Sequence, residues 1–257
     1  MTLPVRRFCA LLLIVALVPA SANDRLLLAT AANFKPAMEE LAAAFRAQHP
    51  DVSIEPVYAS TGKLAAQIRK GAPFDLFFAA DMQTPQELVQ EGLAAAPVRV
   101  YARGRLVIWR AAGDAASLAL ADLADPRFTR IAIANPRHAP YGARAVEALT
   151  AAGVWTLVQP RLVYGENIGQ TAQFVHSGNA QVGIIALSQA REPELAQRGS
   201  YALIDDALHA PLDQGYVVMR RAADRPAAAR FTALLATVAA RRIIERHGYT
   251  VPPAALE

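Results

Sequence analysis

Short apolar runs alternate with amphipathic segments along most of this chain, and that alternation restricts the fold more than any other feature of the sequence. Residues 26–29 are typical of a buried strand, and the apolar residues that follow have the spacing of one helix face: Met38, Leu41, Ala42 and Phe45. Further strands are predicted at 52–57, 74–78, 106–109, 131–134, 162–164 and 182–186, and further helices at 64–68, 85–89, 143–149, 170–176 and 227–239. Such alternation builds a mostly parallel sheet with helices on both faces, so the predicted fold class is α/β.

The first 22 residues have the parts of an export signal. Arg6 and Arg7 precede an uninterrupted apolar run at 8–18, and the segment 19–22 supplies small residues where a signal peptidase cleaves. The run is shorter than the roughly 20 residues of a membrane helix, which favours a cleaved signal over the alternative of an N-terminal anchor helix. We therefore predict cleavage near Ala22, export to the periplasm and a mature chain of 235 residues, which is 257 less 22.

Cysteine and charge content exclude several classes of function. The single cysteine of the sequence, Cys9, lies in the predicted signal, so the mature chain is expected to have no disulfide, thiol nucleophile or zinc–thiolate site. The sequence has 26 basic and 22 acidic residues, and removal of Arg6 and Arg7 with the signal leaves 24 basic residues against 22. Because this slight excess forms no extended Lys/Arg run, nucleic acid is not a predicted partner.

Four predicted strand-to-helix junctions carry small, hydroxyl or amide residues where a helix begins. They lie at 31–36, 59–64, 139–142 and 166–169, and Asn33 is the predicted N-cap of the first helix. Helix N-termini present unpaired backbone N–H groups and a partial positive charge, so several that point at one place can bind an anion without Lys or Arg. Ligands of open α/β sheets bind beyond the carboxyl ends of the strands, where these junctions lie. Ordinary helix capping is the alternative for any one junction taken alone.

The sequence contains none of the common enzyme signatures that we sought. Its histidines are scattered singly, without the spacing of metal ligands: His49, His138, His176, His209 and His247. It has neither a Gly-x-Ser-x-Gly nucleophile elbow nor a complete phosphate-binding loop. Asp75 and Asp81 flank a strand end and are candidates for a carboxylate pair, although the alternation favours a solvated role for Asp75. Binding is therefore favoured over catalysis.

Several motifs resemble those of one family over almost the whole predicted mature chain. They are Ala-Ala-Asn-Phe at 31–34, Ser-Thr-Gly-Lys-Leu at 60–64, Gly-Ala-Pro-Phe-Asp-Leu-Phe at 71–77, Ala-Ala-Asp at 79–81, Asn-Pro at 135–136, Ala-Pro-Tyr-Gly at 139–142, Gly-Glu-Asn-Ile-Gly-Gln at 165–170 and Gly-Ile-Ile-Ala at 183–186. In this order, the chain resembles the molybdate-binding proteins of ABC-type uptake systems, which are type II periplasmic binding proteins.

The resemblance implies a set of neutral hydrogen-bond donors around one oxyanion. Side-chain donation is implied for the Asn33 amide and the Thr61 hydroxyl, and backbone N–H donation for Tyr141 and Ile168. The residues that match by position are Ala32, Asn33, Ser60, Thr61, Tyr141 and Ile168. Molybdenum is then held only as its oxyanion, and neither a cofactor nor another metal is implied.

This chain departs from the resembling family at three of the positions that bear on the ligand. Some members have Ser where Asn33 stands, and Ser is more usual at the position of Thr61. Some members have a Tyr hydroxyl donor where this chain has Ala186, whose side chain cannot donate. A tetrahedral dianion accepts hydrogen bonds only, so the anion class is still expected, while the departures bear on selectivity and affinity.

The resemblance also implies the architecture and the transport role. The fold is expected to have two lobes, each a mostly parallel sheet flanked by helices, with the ligand in the cleft between them. One lobe is expected to comprise 23–103 with 216–257 and the other 104–215. The implied function is that of a monomeric receptor, not an enzyme, which binds molybdate and tungstate and delivers them to an ABC permease.

Other functions are weighed beside this one. A receptor for another tetrahedral oxyanion, such as sulfate or thiosulfate, is the main alternative. Phosphate carries a proton and requires an acceptor, for which Glu166 is the nearest candidate, and iron would require a cluster such as Tyr58, Tyr141 and Tyr164. A deaminase of the same architecture would attach its cofactor through a cysteine, and a DNA-regulatory protein would carry a helix-turn-helix segment before this fold.

Overall fold

The computed structural model describes residues 24–252. The predicted signal peptide at 1–22, with Cys9, lies outside the described residues. Within residues 24–252, no helix combines the length and the apolar character that crossing a bilayer requires.

Strands and helices alternate through the described chain as the apolar pattern predicts. The strands are β1 (Asp24–Ala31), β2 (Val52–Ala59), β3 (Leu76–Phe78), β4 (Ala94–Gly104), β5 (Leu106–Arg110), β6 (Ile131–Ala134), β7 (Leu162–Gly165), β8 (Val182–Ala186), β9 (Ser200–Leu203) and β10 (Leu212–Met219). The α-helices are α1 (Lys35–Gln48), α2 (Thr61–Arg69), α3 (Gln83–Gln90), α4 (Pro140–Ala151), α5 (Trp155–Val158), α6 (Ile168–His176), α7 (Leu187–Ala190), α8 (Pro193–Arg198), α9 (Pro226–Leu235) and α10 (Val238–Arg246).

The strands form two sheets of five strands each. The first has the order β2-β1-β3-β10-β4, in which β1 is parallel to β2 and β3, and β10 is antiparallel to β3 and β4. The second has the order β7-β6-β8-β5-β9, in which β6 is parallel to β7 and β8, and β5 is antiparallel to β8 and β9. The chain passes between the sheets twice, from β4 to β5 and from β9 to β10.

Both faces of the first sheet are covered, as the α/β prediction requires. Leu26 and Leu28 of β1 belong to one apolar cluster, and Ala29 of the same strand belongs to another. Since successive side chains of a strand point to opposite faces, the two clusters lie on the two sides of the sheet. The second sheet has its own large cluster, in which Trp109 and Tyr141 are the bulkiest buried side chains.

Two local features differ from the sequence prediction. The helix predicted at 227–239 is two helices, because α9 ends at Leu235 and the Thr237 hydroxyl accepts a hydrogen bond from the Ala240 N–H at 3.1 Å to cap α10. Asn33 is not the N-cap of α1: a 3₁₀ turn at Ala32–Phe34 precedes that helix, and Phe34 occupies its N-cap position.

Candidate functional site

The four predicted junctions meet at one small cavity beyond the carboxyl ends of β1, β2, β6 and β7. Its volume is about 10 Å³, roughly the space of one water molecule. The residues that line it are Ala31, Ala32, Asn33, Ser60, Thr61, Ala80, Ala139, Pro140, Tyr141, Asn167 and Ile168. All six residues predicted from the sequence are in this set, so the structure brings them together. No charged side chain is among these lining residues.

Three α-helices begin at the cavity wall. Thr61 is the first residue of α2, Tyr141 the second of α4 and Ile168 the first of α6. The first N–H groups of a helix have no acceptor within the helix, and the dipole makes that end partly positive. The three helix N-termini therefore give the cavity a favourable potential for an anion, although its lining has no Lys or Arg.

The side-chain amide of Asn33 is engaged behind the cavity. Its Nδ2 donates to Oε1 of Gln214 at 2.8 Å and to the hydroxyl oxygen of Tyr249 at 3.0 Å. The backbone carbonyl of Asn33 accepts hydrogen bonds from the hydroxyls of Tyr249 at 2.6 Å and of Ser188 at 2.9 Å. Both amide hydrogens thus have protein acceptors in this form, and Asn33 is 1% exposed.

The two hydroxyls at the start of α2 have different partners. Thr61 Oγ1 accepts a hydrogen bond from the Ala80 N–H at 2.9 Å, which leaves its own hydrogen free to be donated. Ser60 Oγ lies 2.9 Å from Nδ1 of His138, a residue of the loop between β6 and α4. Thr61 is therefore oriented as a donor, while Ser60 links the two sides of the cavity.

Tyr141 brings a neutral hydroxyl to the same place. Its oxygen accepts a hydrogen bond from Nε2 of Gln214 at 3.0 Å and lies 3.5 Å from Nδ2 of Asn33. Burial raises the pKa of the Tyr141 hydroxyl well above its ordinary value, with the neighbouring Tyr249 adding to the shift. The group therefore stays protonated at neutral pH and can donate a hydrogen bond.

Further contacts join the start of α2 to the second sheet's loops. The Gly62 N–H donates to the His138 carbonyl at 2.9 Å, and a Cβ on Gly62 would lie 2.9 Å from Cβ of His138. Only glycine permits this approach without displacement. At the rim, the half-exposed side chains of Lys63 and Glu166 form an ion pair. Glu166 is thus occupied by a cation and does not line the cavity.

Four residues that surround Asn33 and Tyr141 had no predicted role at the site. They are Tyr101, Ser188, Gln214 and Tyr249, all buried. Local sequence gives no signal for them, because tertiary contacts bring them to the site. Tyr101 and Gln214 arrive through the pairing of β4 with β10. Ser188 of α7 and Tyr249 of the C-terminal segment arrive through their contacts with Asn33 in the 3₁₀ turn. Ala186 ends β8, fully buried, and does not line the cavity.

The two candidate carboxylates have separate structural roles. Asp75 is 1% exposed and not solvated, which corrects the sequence prediction. It accepts a hydrogen bond from the Leu27 N–H at 2.8 Å and pairs with Arg225 at 2.7 Å and Arg221 at 3.2 Å. Asp81 accepts hydrogen bonds from the N–H and hydroxyl of Thr84 at the start of α3, and burial raises the pKa of its carboxyl.

The geometry does not favour the alternative of an iron site. Tyr58 donates to Glu39, and Tyr164 is exposed, so neither joins Tyr141 at the cavity. Within residues 24–252 there is no group of three or more His, Cys, Asp or Glu side chains arranged to hold a metal ion.

A larger cavity, of about 540 Å³, lies beside the start of β1 and the loop before β3. Its lining includes Arg25, Arg221 and Arg225 together with Asp24 and Asp75. These arginines pair with carboxylates: Arg225 contacts both aspartates, and Arg25 contacts Glu55. Because the charges are already balanced within the protein, we place the functional site at the smaller, neutral cavity where the helices converge.

Two sheets joined by two crossings, with helix N-termini directed into the cleft between them, are the architecture of a periplasmic solute-binding receptor. Residues 26–250 match the family model described as bacterial extracellular solute-binding protein, and the chain belongs to this family.

Several relatives are similar over nearly the whole chain. The molybdate-binding protein ModA of Azotobacter vinelandii is 36% identical over 86% of this chain and 88% of its own length. ModA of Rhodobacter capsulatus is 34% identical over 93% of this chain and 94% of its own length. Among solved structures, the Azotobacter vinelandii periplasmic molybdate-binding protein matches with a TM-score of 0.80 and 32% identity, over 88% of this chain and 99% of that one.

Proposed function

We propose that this protein is a periplasmic receptor that binds molybdate and tungstate and delivers them to the permease of an ABC transporter. The observation that carries the proposal is the convergence of neutral donors from four junctions on one cavity with no charged side chain in its lining. Molybdate is the ligand named for the relatives from Azotobacter vinelandii and Rhodobacter capsulatus. Tungstate has nearly the same size, charge and shape, so the same donors accommodate it.

The groups proposed to bind the anion are neutral hydrogen-bond donors from both sides of the cavity. The Thr61 hydroxyl and the Asn33 amide donate through side chains, with Ser60 adjacent, and the backbone N–H groups come from Ala32, Tyr141 and Ile168. In the form described here Asn33 Nδ2 donates to Gln214 at 2.8 Å and Tyr249 at 3.0 Å. We propose that the longer bond, to Tyr249, is exchanged for an anion oxygen.

Selection against protonated anions follows from the chemistry of the lining. Molybdate at neutral pH is a dianion whose oxygens only accept hydrogen bonds, and each bond from a neutral donor to a charged acceptor contributes about 1.5–3 kcal/mol. Monohydrogen phosphate has a hydroxyl that requires an acceptor, and the carboxylate of Glu166 is occupied by Lys63. We expect phosphate to bind poorly. Sulfate has the same charge but shorter bonds, so discrimination against it depends on the size of the closed cavity.

The cavity has a volume of about 10 Å³ in this form, roughly the space of one water molecule, so we propose that its two sides separate to admit a tetrahedral oxyanion. We propose lobes of 23–103 with 216–257 and of 104–215, which rotate about the two crossings between the sheets. The second proposed boundary lies within β10, so this strand would bend or pivot as the cleft opens. The receptor is proposed to act as a monomer after cleavage near Ala22.

A transport role without catalysis is part of the proposal. The rival hypothesis is a deaminase of the same architecture, which would bind its cofactor covalently through a cysteine. Cys9 is the single cysteine of the sequence, and it lies in the segment that we propose is removed. Intact mass spectrometry of the exported protein is expected to give the mass of residues 23–257 without an adduct. An additional covalent mass would support the enzyme hypothesis.

Titration calorimetry of the purified mature chain tests the proposed ligand. Molybdate and tungstate are expected to bind with similar heats and affinities, while sulfate binds far more weakly and phosphate gives no measurable heat. Equal affinities for sulfate and molybdate would overturn the specificity and favour the alternative of a general receptor for tetrahedral oxyanions, including sulfate and thiosulfate.

A further inference from the structure

A compact polar cluster lies directly behind the proposed anion cavity. We call it the hinge cluster, since it lies where the chain passes between the two sheets. Every side chain in it is at most 5% exposed. Its members are Asn33, Tyr101, Tyr141, Ser188, Gln214 and Tyr249. Only Asn33 and Tyr141 of this set line the cavity, so the other four act on it through them.

Gln214 is the member that joins the two cavity-lining side chains. Its Oε1 accepts a hydrogen bond from Asn33 Nδ2 at 2.8 Å, and its Nε2 donates to the Tyr141 hydroxyl at 3.0 Å. The Tyr101 hydroxyl also donates to Oε1 of Gln214, at 2.8 Å. A side-chain amide can accept from one partner through its oxygen and donate to the other through its nitrogen.

The position of Gln214 in the fold suits it to couple the two sides of the cleft. It lies on β10, opposite Ala102 of β4, and the register of this pairing shifts immediately after it, between Gln214 and Gly215. Asn33 follows β1 of the first sheet, whereas Tyr141 begins α4 beside the second sheet. A single side chain near the crossing therefore contacts proposed ligand-binding residues of both lobes.

Gly104, the last residue of β4, provides the space for this contact. A Cβ at position 104 would lie 2.0 Å from the Tyr141 hydroxyl oxygen and 2.6 Å from Nε2 of Gln214. Any side chain at this position would have to displace at least one of those two atoms. The local sequence at the crossing is thus consistent with a required approach of Tyr141 to Gln214.

We infer that Gln214 is a positioning residue for oxyanion binding: it orients the Asn33 amide, holds the side chain of Tyr141, whose backbone N–H is a proposed donor, and maintains their alignment when the cleft closes. The inference rests on the proposed function, because Asn33 and Tyr141 are its proposed ligand-binding residues. Gln214 Oε1 accepts one of the two hydrogens of Asn33 Nδ2. This contact fixes the orientation of the amide and therefore the direction of its second hydrogen. By donating to Tyr141, it occupies the phenol oxygen and leaves the phenol hydrogen for another acceptor.

Gln214→Glu separates positioning from simple packing, because the two side chains have the same shape. An ionised carboxylate at this position cannot donate to Tyr141 and places a negative charge behind a site for a dianion. Protonation of the carboxylate restores one donor and one acceptor. Relative to the wild type at the same pH, the affinity of Gln214→Glu for molybdate is therefore expected to be at least tenfold lower at pH 7.5 and to approach the wild-type value as the pH is lowered to 5.5. Loss of packing alone would not produce this recovery, and Gly104→Ala, which adds no charge, distinguishes positioning from repulsion between the carboxylate and the dianion.

Calorimetric titrations with molybdate at several pH values, on the wild type, Gln214→Glu and Gln48→Glu, test the inference. Gln48 is an exposed residue at the end of α1, so Gln48→Glu adds the same charge at a distance from the cluster and is expected to bind like the wild type. If the wild type binds molybdate and Gln214→Glu matches Gln48→Glu at every pH, the inference is overturned while the proposed function stands. If the wild type does not bind molybdate, the proposed function fails first.

A second variant tests the geometry without a new charge. Gly104→Ala is expected to displace the Tyr141 hydroxyl from Gln214 and to weaken molybdate binding at least tenfold at all pH values, while the far-ultraviolet circular dichroism spectrum is retained. Unchanged affinity in Gly104→Ala would contradict the inference, and it decides the question should Gln214→Glu fail to fold.

Discussion

Ser60 and His138 belong to opposite sides of the candidate cavity, and their Oγ and Nδ1 atoms are 2.9 Å apart. In this closed form of the cleft, the loop before α2 therefore touches the loop before α4. Burial and the nearby charge of Lys63 lower the pKa of His138 below its ordinary value of about 6.5. A form in which the cleft is open would return His138 to water and to that ordinary value.

The first prediction concerns pH. Because the pKa of His138 is lowered when the cleft is closed, the closed form binds fewer protons than the open form, and closure is favoured above pH 6.5. Affinity for molybdate is therefore expected to decrease as the pH falls from 7.5 to 5.5. His138→Asn, which cannot be protonated, should remove this decrease. A decrease of equal size in His138→Asn, measured by calorimetry, would contradict the assignment.

The second prediction concerns Asn33. Removal of its amide in Asn33→Ala would leave one anion oxygen without a donor and would remove a partner of Gln214 and Tyr249. Loss of one hydrogen bond to a charged group corresponds to roughly a tenfold or larger weakening of molybdate binding. Equilibrium titration of the variant measures this directly. An unchanged dissociation constant would show that Asn33 has a structural role only.

The third prediction uses a matched pair of threonines. Thr61→Val removes a hydroxyl at the cavity that accepts from the Ala80 N–H, and we expect about a tenfold loss of molybdate affinity. Thr30, on β1, is equally buried, and among the described residues its hydroxyl has no hydrogen-bond partner. Thr30→Val is therefore expected to bind like the wild type and to be at least as stable. Equal affinities in the two variants would remove Thr61 from the proposed ligands.

The fourth prediction separates stability from binding. Asp75 is buried and pairs with Arg221 and Arg225, of which Arg221 is half exposed. Asp75→Ala leaves these cations and the Leu27 N–H without their carboxylate, so the free energy of unfolding should fall by about 2–3 kcal/mol. Urea denaturation measures this loss. At temperatures where the variant is folded, its molybdate affinity should equal that of the wild type, and a weakened affinity would link the larger cavity to ligand binding.

The apolar periodicity was sufficient to predict much of the fold. The segments predicted as strands at 26–29, 131–134 and 182–186 lie within or coincide with β1, β6 and β8. Buried parallel strands are continuous apolar runs, and such runs can be recognised without knowledge of their partners.

The strands β4, β9 and β10 were not predicted, for two physical reasons. β4 and β9 are edge strands, and β4 contains Pro97 and exposed charges, which weaken its local signal. β10 is a buried interior strand of its sheet, yet two residues near its start, Asp213 and Gly215, are typical of a turn. The polar side chains of this strand are stabilised by tertiary partners that local sequence does not specify.

At the candidate site, too, some features could be predicted from local sequence and others could not. The helix starts that line the cavity could be predicted, because they are encoded locally by residues such as Pro140 and Asn167. The partners of Asn33 could not, since Gln214 is 181 positions away in the sequence and Tyr249 is 216. The assignment of Asn33 as an N-cap was wrong because Asn33 lies within the 3₁₀ turn that precedes α1, where its Nδ2 donates to side chains distant in the sequence.

The most direct test of the account is a crystal structure of the mature protein with molybdate, with the metal located by its anomalous scattering. The account predicts the molybdenum atom among Asn33, Thr61, Tyr141 and Ile168, with each anion oxygen within hydrogen-bond distance of neutral N–H or O–H groups only. A molybdenum atom located elsewhere, or an anion oxygen bound by an arginine or lysine side chain, would contradict it.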